Sequence, residues 1–75
     1  MDRNEFLANF ADQFEETDPS VFQFDTKFHD LDEWSSLVGM TILAMAKVSY
    51  GKSISGEELK HCITVEDVYN LIASK

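Results

Sequence analysis

Apolar residues recur with a helical period in three stretches of this chain, and the period is lost between the first two. Phe6, Leu7, Phe10, Ala11 and Phe14 stand three and four residues apart, so they share one face of a helix expected over Asp2–Glu16. Acids at Asp2 and Glu5 suit its first turn, where they meet the positive end of the helix dipole, and Pro19 forbids its continuation. From Thr17 to Trp34 no helical face repeats. Phe22 and Phe24 alternate as in a strand, but nothing pairs with them, so the stretch reads as an ordered loop anchored by Phe24, Phe28 and Leu31.

The next stretch, Leu37–Tyr50, is expected to be helical, with Ser35 or Ser36 as its cap and Gly51 as its end. Its apolar residues cover nearly the whole circumference, so this helix either lies at the centre of the fold or shows an apolar face to a partner. A turn over Lys52–Gly56 carries Ile54, and Glu57–His61 is long enough for one short helix. Val65, Val68, Tyr69 and Ile72 then form a stripe at i, i+3, i+4 and i+7, preceded by Thr64 with Asp67 three residues on, the pattern of a capping box. The expected fold class is all-α: one domain over residues 1–75, a small bundle of three main helices plus one short helix, with a long loop between the first two helices. Phe6, Phe10, Phe14, Phe28, Leu37, Val65, Val68 and Ile72 are expected to share one core.

Composition narrows the setting. Seventy-five residues are close to the least that one apolar core can hold together, and the only cysteine, Cys62, leaves no intramolecular disulfide to help. A lone cysteine fits a reducing compartment. Neither a signal peptide nor a run long enough to span a bilayer is visible, so a cytoplasmic monomer without membrane insertion is expected. Fourteen acids against six bases give a formal charge of −8, which repels nucleic acid and favours partners with basic surfaces.

Catalytic chemistry finds little purchase. A serine nucleophile needs a neighbouring base, and His29 and His61 lie in segments with no motif linking them to a serine. Cys62 beside His61 lacks metal-ligand spacing, and Asp30, Asp32 and Glu33 read as a solvated loop. No catalytic residue and no metal site is assigned, and the chain is not read as an enzyme.

Ser36 is different. It follows a polar, acid-rich loop and directly precedes the apolar second helix, so its hydroxyl is expected at a helix N-terminus, where free N–H groups and the dipole favour a phosphate ester. The segment Thr26–Leu37, with Phe28, Asp30, Leu31 and the pair Ser36-Leu37, followed by Ile54, Glu57, Glu58 and Thr64-Val65, resembles the acyl carrier protein family. The likeness runs from about Phe6 to Ile72.

By that resemblance Ser36 is the attachment site of 4'-phosphopantetheine, delivered from coenzyme A by a phosphopantetheinyl transferase. Acyl-loading and acyl-processing enzymes would be the further partners, in fatty acid, polyketide or related biosynthesis. Asp32, Glu33, Leu37, Val38, Met40, Thr41 and Met45 are then the expected partner-facing residues. The chain departs from the family in carrying Ser35 where an aspartate is usual, one extra residue between Leu31 and the serine, and Val38, Thr41, Lys47 and Val48 at places usually acidic. Two alternatives accompany this expectation: an interaction module that keeps the fold without the arm, and an aminoacyl or peptidyl carrier.

Overall fold

In the computed structural model, which describes residues 1–75, Asp2 opens the first helix, α1 (Arg3–Ala11), by accepting a hydrogen bond from the Glu5 N–H. The helix stops five residues short of the expected Glu16. Asp12, Glu15 and Glu16 would crowd the negative end of its dipole, with no basic residue in the last turn to offset them. Gln13 instead bonds the Asn9 carbonyl through its side chain, and Phe14 N–H reaches Ala11 O at 3.0 Å. This tightened exit keeps Phe14 in the core although it lies outside the helix.

The loop from α1 to the next helix is ordered by its own bonds. Asp18 caps a 3₁₀ turn at Pro19–Val21 by accepting from the Ser20 N–H, and a second turn covers Phe28–Asp30. Glu33 Oε1 accepts from the Glu16 N–H at 3.0 Å and the Thr17 hydroxyl at 2.7 Å, so the two ends of the loop are tied across its base. Phe24 O and Thr26 O accept from the N–H groups of Glu66 and Val65, at 2.9 and 3.1 Å. The strand-like alternation leaves only one isolated bridge, Lys27 to Thr64.

The second helix, α2, runs Ser36–Tyr50 and ends at Gly51, whose φ of 67° is a left-handed conformation that glycine adopts without a Cβ clash. A short α3 (Gly56–His61) follows under a capping box of Ser55 and Glu58, then α4 (Val65–Ala73) under one of Thr64 and Asp67. Helix α1 packs on α4 and α2, and α2 packs on α3. The expected bundle of three main helices and one short one, with its long loop, is the observed architecture.

Phe10 is the hub of the core, with the rings of Phe6, Phe14, Phe22 and Phe28 all within 6.1 Å, centroid to centroid. Ile42, Val65, Val68 and Ile72 close it from α2 and α4. Among the loop anchors, Phe28 is buried as expected, but Phe22 takes the second buried place, and Phe24 and Leu31 are only partly covered. The turn at Pro19 sends Phe22 under α1, and Phe24 instead serves as a platform for the Arg3 guanidinium, 4.0 Å above its ring.

Leu37 is a correction: it is 70% exposed, not core. The inward face of α2 is Gly39, Ile42, Met45 and Ala46, and Leu37 lies roughly 140° around the helix from Ile42 at 100° per residue.

Candidate functional site

Two serines share the entrance to α2. Ser35, in extended backbone, accepts from the Val38 N–H at 3.3 Å and is the cap, which leaves Ser36 as the first helical residue with an exposed side chain. The N–H groups of Ser36 and Leu37 have no acceptor in the chain. Every other helix has at least one acid in its first turn, Glu5 in α1, Glu57 and Glu58 in α3, and Glu66 and Asp67 in α4, but α2 has none. A negative group at Ser36 would therefore meet open N–H donors and an unneutralised dipole.

Ser36 also stands on the lip of a cleft of about 460 Å³. Helix α2 supplies Gly39, Met40 and Leu43; α3 supplies Gly56, Leu59 and Lys60; the loop supplies His29 and Trp34. Gly39 makes room for it. A Cβ there would come 3.4 Å from the Trp34 ring and 3.7 Å from Leu59, so the indole lies close against bare helix backbone. A glycine inside a helix costs about 1 kcal/mol against alanine, and this one keeps the cleft floor low.

The expected partner-facing residues do not form one surface. Leu37 and Met40 are exposed, at 70% and 66%, and with Val48 at 84% they fall within roughly 80° of arc on α2. Val38 and Thr41 are partly covered, and the Thr41 hydroxyl is committed to Val38 O at 2.7 Å. Met45 is a correction: it is 6% exposed and belongs to the core, because it lies three residues beyond Ile42 on the inward face. Asp32 is exposed, whereas Glu33 is occupied in tying the loop.

His29, set aside in the sequence because no motif links it to a serine, lines the cleft with Trp34, Gly39 and Lys60, none of which the sequence assigned to a site. Its ring lies 4.4 Å from Phe28 and 4.5 Å from Trp34, and its Nε2 is buried with no hydrogen-bond partner. No hydrogen bond joins it to Ser36, and His61 faces Glu57 at 3.3 Å. Only the path of the loop brings His29 to the cleft, so no spacing announced it; a glycine inside an apolar helix, Gly39, is a signal that could have pointed to a close approach there. Cys62 is buried and without a disulfide, and desolvation, with Asp67 and Glu58 as lesser causes, pushes its thiol above the ordinary cysteine value, away from the thiolate. Glu16, Asp18, Asp32 and Glu33 line a second cavity of about 430 Å³ without converging into a metal-binding group.

No helix is long and apolar enough to cross a membrane. No protein-family model, no curated protein and no solved structure matches the chain, so the geometry around Ser36 is what bears on function.

Proposed function

We propose that the protein is an acyl carrier that bears 4'-phosphopantetheine on Ser36 and presents acyl groups, as thioesters on that arm, to other enzymes. The observation that carries this reading is the exposed Ser36 hydroxyl at the first position of α2, beside two open N–H groups and on the lip of an apolar-walled cleft. The arm, when bound, supplies the thiol chemistry. The chain's own residues do the rest: the first turn of α2 holds the phosphodiester, and Trp34, Met40, Leu43 and Leu59 offer an apolar wall to what the arm carries. The resemblance in order and spacing from Phe6 to Ile72 supports the same reading. A phosphopantetheinyl transferase and acyl-loading and acyl-processing enzymes are the partners it requires.

Intact mass after incubation with coenzyme A and a broad-specificity phosphopantetheinyl transferase tests it. One phosphopantetheine is expected to be added, mapped to the peptide position of Ser36. Ser36→Ala abolishes the gain, whereas Ser35→Ala keeps it and loses about 1 kcal/mol of stability with the cap. Addition at Ser35 refutes the register, and no addition at all favours an interaction module working through exposed Leu37, Met40 and Val48.

A further inference from the structure

Exposed large apolar residues stand singly at Val21 in the loop and at Ile63 between α3 and α4, but Leu37, Met40 and Val48 line up on α2. Exposed Ala44 falls inside the same arc, so the four stand three or four residues apart along one stripe. Beside Ala44 the surface dips into a cavity of about 270 Å³ lined by Gln13, Thr41, Ala44, Met45, Val48 and Ser49, none of them charged. Of the fourteen acids none lies on α2, whereas every other helix carries at least one. Lys47, at the edge of the stripe, is the only charged residue of this helix.

Charge and shape together name the occupant. A protein of charge −8 attracts basic partners to its acids and repels its own copies there. An uncharged stripe gives a basic partner nothing to answer, and it is where two copies meet without like charges opposed. The order of sizes then fixes the orientation. In an antiparallel copy, with opposed residue numbers summing to about 85, Leu37 meets Val48 of the second copy, and Met40 and Thr41 meet its Ala44. The long methionine lies where a bare methyl leaves room, and the Thr41 hydroxyl is already bonded to Val38 O at 2.7 Å, so it needs no partner across the contact. The two Lys47 ammonium groups are set off from each other by roughly 14 Å of helix rise, beyond the Debye length of ~8 Å at physiological salt.

We propose that the protein self-associates through this face of α2 as an antiparallel two-fold dimer. The inference concerns the unmodified chain, so it stands or falls apart from the carrier reading. One helix face falls short of the ~800 Å² per partner of a standard interface, so the dimer is weak, with a dissociation constant on the order of 0.1 mM. At the micromolar concentrations of a transferase assay the ridge is open.

Sedimentation equilibrium of the unmodified full chain, over roughly 0.01 to 1 mM, tests the proposal. The average mass is expected to climb from 8.6 kDa toward twice that value. Raising salt to about 1 M is expected to tighten the dimer, because it screens the repulsion between two acidic copies and meets no ion pair across the contact. Val48→Glu and Leu37→Lys are each expected to weaken it about tenfold or more. Both positions are exposed, so melting as the wild type shows that the fold is intact. Mixed in equal amounts, the two variants are expected to regain most of the lost affinity, because the register opposes the new cation of one copy to the new anion of the other. A chain that stays monomeric throughout, a dimer unmoved by Val48→Glu, or one that weakens with salt overturns the proposal. A mixture no tighter than either variant alone overturns it as well, since only the antiparallel register sets the two positions against each other.

Discussion

Adjacent serines at the head of α2 have opposite duties because one backbone step separates a cap from a helical residue. Ser35 turns its oxygen inward to the Val38 N–H, and Ser36 is thereby freed for solvent. The same resolution of single residues governs the core. Phe10 touches four other phenylalanines, so Phe10→Ala removes the hub rather than one spoke. The expected loss is about 3–5 kcal/mol, most of what so small a domain possesses, and thermal melting checks it: an unchanged midpoint would mean the aromatic cluster is not what holds α1 in place. Phe6, Phe10 and Phe14 were legible as core from their spacing alone. Phe22 was not, because its burial depends on how the Pro19 turn aims the loop, and nothing in the residue itself distinguishes it from Phe24.

At the scale of elements, the helix starts were readable and the faces were not. Thr64 with Asp67 announced α4, and Gly51 announced the end of α2, since both signals are chemical requirements of a helix terminus. The orientation of α2 could not be read, because apolar residues on every side give no phase; the packing of Ile42 and Ala46 against the core sets it. Leu37 and Met45 consequently exchanged roles, the first going outward and the second inward. This has a direct consequence for partner recognition. Met40→Glu is expected to leave the melting midpoint within a few degrees of wild type and to lower kcat/KM for phosphopantetheinylation, whereas Met45→Glu buries a charge and unfolds the bundle. The two variants, compared by circular dichroism and by transferase kinetics, separate a docking residue from a core residue. Unchanged kinetics for Met40→Glu with a folded protein would remove the exposed ridge of α2 from the docking surface. Of the cleft, Ser36 stood out in the sequence, while His29, Trp34, Gly39 and Lys60 are brought to it by tertiary folding.

For the whole molecule, carboxylates serve as structural ties as well as surface charge. Asp67 accepts from the Thr64 and Ile63 N–H groups, and those bonds, Thr64 first, hold its carboxyl below the ordinary 3.8. Glu58 is lowered from 4.5 chiefly by its bond from Lys75, then by the Ser55 N–H, and Asp18 is lowered by Ser20. Carboxyls with depressed values in the fold bind fewer protons there than in the unfolded chain, so their contribution is complete above the ordinary values and is lost as pH falls through the lowered ones. Thermal melts taken from neutral pH down to about pH 3 are expected to show that loss, and Asp67→Asn is expected to start less stable and fall less steeply. An identical acid slope in Asp67→Asn would show that the α4 capping box contributes nothing to it. Trp34, packed over Gly39 and edge-on to His29, is the chain's single indole. Its emission therefore comes wholly from the wall of the cleft, and the protein carries an intrinsic optical gauge that brightens, dims or shifts with whatever lies against that wall.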